Sequence, residues 1–554
     1  FASSEDPNHF AAEGTGVVVR GLDRVRSEIN GRDAFSASTG GGLSYEDIPG
    51  ELLGHVEVVK NQTADLISGG IAGTVNLVTR KPFDSDKQMF AFNTKANYGD
   101  YRKEVTPSFS GLFSDTWDTN AGKFGFLVAA STSEYQSRGD GVGLGNFHSR
   151  GSSFMPTTDQ WGGITGVDPR SPVDGPALPG QPAGSVWHVP VAIHLSTADN
   201  DRKRTGFTSS LQWANKDDTI VATLEHINSD ASLEWNERQI GQAAQGFRGF
   251  MGSSQNWRDD KAKGRPLTVD NGYVTSGVAL GVSPETPFFY RSRWNYNENS
   301  VEDTSLNLKI KATERLKLEL DYQRIDSEKV VHNYSMSGQT RGNHVHVVSP
   351  YFLDMRGERP TVEFLSDNIL TPGWSPNKDW NGPVPNLFLG SGMEQEEHNT
   401  AKADSFKLNA TYELDGVFTS VKFGGFYTDK DLTVRDTAYE GWSAIGTPWD
   451  MNDRNAAAAV NRPELFERVD FSNYYNGKVL MGNVNNFLFP KMSLVKNYAE
   501  SLRQGCKEGW HNATLSKANK GVCTGTYVPY TDKPNRVEGP FAAHNISSSN
   551  EQRT

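Results

Sequence analysis

His344-Val345-His346 places two imidazoles on one face of an extended segment, a pairing able to grip a metal ion. Two ligands do not complete a site, so the pair reads as loop surface. Asp199-Asn200-Asp201 offers oxygens suited to calcium, without the spacing of a calcium loop. Gly139-Asp140-Gly141-Val142-Gly143-Leu144-Gly145 has enough glycine to wrap a phosphate, yet no helix pattern follows it. Neither a serine elbow nor a His-Glu-x-x-His motif is present. The sequence therefore predicts no catalytic group, no metal, no cofactor and no enzymatic activity. Cys506 and Cys523, the two cysteines, lie close together in a polar stretch. They are expected to close a loop as a disulfide, which suits an oxidising compartment.

The chain that carries these residues has 554 of them, more than one ordinary domain, although barrels run long as single units. Mean hydropathy is -0.58. No apolar run approaches the ~18 residues of a spanning helix. Aromatic residues at 11% and 55 glycines favour β-structure with many turns. A net charge of -12 argues against a nucleic-acid partner.

The first informative region is Val17–Phe83. Val17-Val18-Val19 reads as a short buried strand. Asn30-Gly31 is a tight-hairpin dipeptide, since both residues tolerate positive φ. Gly40-Gly41-Gly42 is a flexible break. Asp47 is expected to cap a short helix running through Leu53, with Pro49 near its start and Gly54 ending it. Strands are expected around His55–Lys60 and Val75–Thr79, with turns at Gly69, Gly70 and Gly73 between them. This is a small, mixed, turn-rich unit.

Beyond Phe83 the period changes to two. Leu306, Leu308 and Ile310 alternate with Asn307 and Lys309, and Leu316, Leu318 and Leu320 with Lys317 and Glu319. Nine such strands are predicted: about 88–98, 104–115, 122–135, 204–215, 218–228, 301–312, 315–328, 402–413 and 417–434. Alternation alone fits a soluble sandwich as well as a membrane barrel. The connections discriminate. Those after strands one, two, four, six and eight are short, whereas those after three, five and seven run to roughly 70 residues, and no clear strand follows the ninth. Short turns on one side and long loops on the other favour an outer-membrane barrel. Compact soluble domains rarely carry such long irregular links.

The order Val18-Val19-Arg20-Gly21, Asn30-Gly31-Arg32, His55-Val56-Glu57-Val58-Val59-Lys60 and Gly69-Gly70-Ile71-Ala72-Gly73-Thr74-Val75-Asn76-Leu77-Val78-Thr79-Arg80-Lys81-Pro82 resembles the plug of TonB-dependent outer-membrane receptors. Asn61-Gln62-Thr63-Ala64-Asp65-Leu66 and Lys81-Pro82-Phe83-Asp84 are similar to a Caulobacter/Xanthomonas-type subgroup often linked to carbohydrate uptake. The resemblance implies a mainly β fold: a transmembrane antiparallel β-barrel with an N-terminal α+β plug inside it. It divides the chain into a plug over 1–82 and barrel strands with extracellular loops over 83–554. A barrel that surrounds a plug needs about 22 strands, so a segment of a longer protein is expected, lacking its coupling box and last strands. Among the plug residues, Arg20, Glu57 and Arg80 match family positions that meet barrel carboxylates and lock the plug. Gly21, Gly31, Gly69, Gly70 and Gly73 match its turns.

The function implied is active import of a scarce or bulky nutrient across a Gram-negative outer membrane, energised by TonB–ExbB–ExbD. The expected surroundings are outer-membrane lipid and lipopolysaccharide, a small-molecule or oligosaccharide ligand, and surface or periplasmic accessory proteins. Oligosaccharide is the first expectation and ferric siderophore the second. A passive porin would not need Val17–Phe83, and a secreted β-rich enzyme would leave the loop alternation unexplained. Ten of the twelve tryptophans fall in long connections, and Trp161, Trp187, Trp257, Trp294, Trp374 and Trp442 are candidates to line a ligand vestibule. Most such aromatics are expected to build small loop cores instead.

Overall fold

The computed structural model describes residues 2–3, 16–22, 25–38, 41–43, 45, 48–144, 147–150, 156–158, 164–167, 187–190, 193–242, 256–280, 288–339, 351–365, 374–375, 384–385, 387–436, 441–445, 456–510 and 548–553. Four short strands form the small unit: β1 (Val25–Ile29), β2 (Arg32–Asp33), β3 (Leu53–Val59) and β4 (Gly73–Thr79). Their order is β2-β1-β4-β3, with β1 and β4 parallel and the other pairs antiparallel. Asn30 and Gly31 turn the β1–β2 hairpin with φ of 53° and 74°. Both angles lie in the left-handed region that this dipeptide tolerates, as the sequence predicts. Among the described residues 48–53 the expected helix from Asp47 to Leu53 does not form. Asp47 lies outside the described residues, and only a single 3-10 turn, Gly50–Leu52, forms after Pro49 without a side-chain cap.

All nine predicted strands are present: β5 (Met89–Gly99), β6 (Glu104–Thr119), β7 (Gly122–Leu144), β8 (Ile193–Ala214), β9 (Ile220–Gln242), β10 (Phe288–Lys311), β11 (Leu316–Gln339), β12 (Phe388–Glu413) and β13 (Ser420–Asp436). Each pairs antiparallel with the next in chain order. Two corrections follow. Every strand from β7 to β12 runs further toward the long loops than its alternation indicates; β9, for example, reaches Gln242 where the pattern stops near 228. The sheet also gains β14 (Ser548–Arg553), which pairs with Asp431–Asp436 of β13.

The polarity of this sheet is inverted relative to a soluble one. Phe207, Leu211, Leu224, Leu306, Leu320, Phe406 and Leu408 stand exposed on one face. Thr208, Ser210, Thr223, Ser305, Asn307, Gln323 and Ser405, on the opposite face, are buried. A water-soluble sheet hides its apolar side; this arrangement suits a lipid-facing exterior and a polar lumen. No helix among the described residues is long and apolar enough to cross a membrane, which leaves strand-crossing untouched.

A second layer covers the far ends of the long strands. Segments of several long connections meet in one eight-stranded sheet, including Phe147–Arg150, Trp187–Pro190, Tyr273–Leu280, Tyr351–Asp354, Thr361–Phe364 and Leu480–Met481. Two helices, α1 (Met492–Lys496) and α2 (Tyr498–Glu508), join it. Its core contains Tyr290, Tyr351, Phe471, Phe487, Phe489 and Trp510 together with Leu195 and Ile240 of the long sheet. Leu195 shares side-chain parity with exposed Leu211, and Ile240 with exposed Leu224. The layer therefore covers a continuation of the face that is bare nearer the turns.

Candidate functional site at the interface of the two sheets

The small unit seats on the polar face of the long sheet. Ile29, Phe35, Val75 and Leu77 pack there against Ile227, Val301, Ile325 and Leu432. Leu52 packs on Leu127 and Ala129. Gly206 permits that approach: a Cβ there would lie 2.6 Å from Leu52 Cδ1 and 2.8 Å from Pro49 Cγ.

The polar centre of the contact is Arg32, at the outgoing end of the Asn30-Gly31 turn. It is 6% exposed. Its Nη1 and Nη2 donate to Glu225 Oε2 at 3.2 and 3.1 Å, and its Nε donates to Asp321 Oδ1 at 3.1 Å. Glu225 Oε1 also accepts from Asn30 Nδ2 and Thr79 Oγ1, both at 3.1 Å. One carboxylate thus gathers donors from β2, β4 and the turn between β1 and β2. Desolvation opposes the charge on Arg32, but Glu225, Asp321 and Asp303 outweigh it and raise its pKa above the ordinary value. Nearby, Asp33 pairs with both Arg26 of the small unit and Lys430 of β13, and Lys430 lies over the Phe35 ring. Burial raises the pKa of neighbouring Glu28, with Arg26 opposing the rise.

A second grip holds the main chain. Ala37 N–H donates to Ser327 Oγ at 3.0 Å, and its carbonyl accepts from Asn399 Nδ2 at 3.0 Å. Arg435 N–H donates to Asn399 Oδ1 at 3.1 Å, so the clamping amide is oriented from both ends. At the exit of the small unit, Phe83 N–H donates to Gln212 Oε1 at 2.8 Å. Asp65 and Lys422 form an exposed pair at 2.8 Å.

The residues proposed from resemblance sit elsewhere. Arg20 donates to Asn61 Oδ1 at 2.9 Å. Glu57 accepts from Asn76 Nδ2 at 2.9 Å and lies beside His55. Arg80 is exposed. Among the described residues none of the three meets a carboxylate of the long sheet, and Arg32 makes that contact instead. Gly21, Gly31, Gly69 and Gly73 all have positive φ. At Gly70 a Cβ would lie 2.6 Å from the Gly73 carbonyl.

The other candidate chemistries also resolve. Asp199 and Asp201 lie in β8 and pair with Arg102 at 2.8 and 3.3 Å, an ion-pair cluster instead of a calcium site. Gly139–Leu144 belongs to β7, where the Gly141 carbonyl accepts from Tyr474. His344, His346, Trp161 and Cys523 lie outside the described residues. Cys506 sits in α2, and no free thiol occurs among the described residues. No described cluster of three His, Cys, Asp or Glu could hold a metal. Trp187, Trp257, Trp374 and Trp442 have their backbones in short strands.

Trp294 belongs to a packed group on the far end of the long sheet. Its ring lies 6.1 Å from both Tyr296 and His332, close to parallel with each. Its Nε1 donates to Glu234 Oε1 at 2.9 Å, and Lys496 of α1 pairs with the same carboxylate. His332 and Tyr334 both hydrogen-bond Glu396 on the adjacent strand. Tyr334 stacks on Tyr498 of α2 at 5.6 Å. Trp235 is buried under the Arg293 guanidinium, 4.8 Å from its ring centre. These rings are all packed against neighbouring side chains.

No protein-family model matches this sequence, and no curated protein matches it. Among solved structures it is similar to the alcaligin outer-membrane receptor FauA of Bordetella pertussis, at 11% identity over 76% of this chain and 83% of that one, with a TM-score of 0.20. It is also similar to the hemophore receptor HasR of Serratia marcescens, at 11% identity over 74% and 72%, with a TM-score of 0.18. A third is the siderophore receptor PirA of Acinetobacter baumannii, at 9% identity over 76% and 85%, with a TM-score of 0.18.

Proposed function

We propose that this chain supplies the plug and part of the barrel wall of a TonB-dependent outer-membrane import receptor. The observation that carries the reading is the inverted sheet: apolar residues exposed, polar residues buried, and a separately folded small unit seated on the polar side. A soluble sandwich has no reason to bury Glu225, Asp303, Asn307 and Gln323 while exposing Phe406 and Leu408. In this reading residues 1–82 are the plug, and 83–554 are barrel strands with their outer loops. TonB–ExbB–ExbD supplies the pull, and polar contacts such as Arg32–Glu225 rearrange to open a path. The step is binding and conformational change, with no covalent chemistry.

The ligand class we infer from the plug resemblance is an oligosaccharide, and a ferric siderophore is the rival. Two of the similar solved structures are receptors for the siderophore alcaligin and for a haem-carrying hemophore. Trp235 and Trp294 are engaged in packing, so they add nothing to the sugar reading. Membrane extraction tests the first part: a full chain that stays soluble and monomeric without detergent overturns the receptor reading. Growth of a deletion strain on single glycans and under iron limitation tests the second. A defect only under iron starvation overturns the carbohydrate inference.

A further inference from the structure

The group beneath α2 differs from the other contacts of the outer layer, because its polar members can all exchange protons. Glu394 and Glu396 project from the same face of β12, and both are buried. In register, Glu396 lies opposite His332 and Glu394 opposite Tyr334. His332 Nδ1 and Tyr334 Oη both bond the Glu396 carboxylate. Tyr498, the first residue of α2, is 1% exposed and closes the pocket by stacking on Tyr334. Gly392 leaves room for it: a Cβ there would lie 2.5 Å from the Tyr498 hydroxyl. Around the pocket, β10 contributes Trp294 and Tyr296, with Glu298 bonded to the Tyr296 hydroxyl. From β9 comes Glu234, which is already paired with Lys496 of α1. His332 is the imidazole that meets the Glu396 carboxylate in this pocket.

We propose that α2, and the outer layer it anchors, is clasped to the long sheet by this pocket, which holds while proton-loaded and releases as its protons leave. With His332 charged and Glu394 neutral, the pocket carries one matched pair, His332 with Glu396. Removing the His332 proton strips the cation. Removing the Glu394 proton then places two like charges on one strand face, under a helix that excludes water. Both shifts act in the same direction. The hydrogen bond to Glu396 raises the His332 pKa despite burial, and burial raises the Glu394 pKa well above the carboxylate range, with the Glu396 charge adding to it. Each group therefore favours the docked state below its unfolded-state pKa and loses that contribution as pH rises through its docked-state pKa. These residues lie beyond the exposed apolar belt, where the His332 imidazole, partly exposed, can reach water.

Hydrogen exchange of the full chain in detergent, read by mass spectrometry on peptides covering 498–508, tests the clasp. Corrected for intrinsic exchange, protection there should fall about tenfold or more between about pH 6 and pH 9, while peptides from 220–228 hold steady. In His332→Gln and in Glu394→Gln alike that fall should be smaller than in the wild-type chain. Protection over 498–508 that does not change with pH in the wild-type chain overturns the proposal. So does a fall as large in both variants as in the wild-type chain. The wild-type profile decides the matter even if a variant fails to fold.

Discussion

Replacing Arg32 with Met should unseat the small unit without destroying the long sheet. Arg32 is buried and makes three hydrogen bonds to Glu225 and Asp321. Met keeps most of the stem volume and removes the charge. Glu225, 2% exposed, would retain Asn30 and Thr79 as neutral donors but no cation. Removing one partner of a buried ion pair costs roughly 3–5 kcal/mol. At ~3 kcal/mol the population of the unseated unit rises about two powers of ten. Hydrogen exchange over 27–33 and 73–79 measures that population directly. The double variant Arg32→Met/Glu225→Gln leaves no buried charge at Glu225 and should recover part of the loss. A coupling of at least ~1.5 kcal/mol is expected in that cycle. Exchange in Arg32→Met within ~0.5 kcal/mol of wild type, or strictly additive effects in the cycle, would refute Arg32 as the centre of the seal.

Gly206→Val should cost about 1–3 kcal/mol by overpacking, because its side chain collides with Leu52 and Pro49; denaturant midpoints and exchange over 48–54 check it. Phe406→Lys puts a charge on the bare apolar face and should weaken folding into bilayers by ~2–4 kcal/mol near the midplane, measured by refolding into vesicles. The same change should scarcely alter an aqueous surface. Hydrogen bonds from Lys422 and Thr63 pull the Asp65 pKa down to about 2. The contribution of that pair is complete above the ordinary value of 3.8 and is lost as pH falls toward about 2. Exposure and screening keep it small, so Lys422→Ala should produce a small, salt-sensitive loss of stability above about pH 4 that vanishes as pH falls toward about 2.

The long strands were legible near their turns and illegible beyond. Leu306, Leu308 and Ile310 alternate cleanly with polar neighbours because one face is bare and the other polar. Past that belt the second layer covers the formerly bare face. Ile240 and Leu195 are then buried by a partner that periodicity cannot reveal. The period-two signal fades there although pairing continues, so alternation marks only part of each strand. The expected helix before β3 failed because one 3-10 turn is enough to bring Leu52 onto Leu127 and Ala129. Arg32 was visible beside the Asn30-Gly31 turn, and its arginine chemistry was plain. Nothing local marked it over Arg20 or Arg80.

The sequence by itself determined the alternation, the turns and the existence of a small glycine-rich unit. Those depend on neighbours two to four residues apart, through side-chain parity and permitted φ. The tertiary structure decided which charges meet. Arg32 finds Glu225 and Asp321 only because the register of β9, β10 and β11 aligns residues 193 and 289 positions away on one buried face. Coulomb attraction in a desolvated site depends on distance through space, and that distance is not written along the chain.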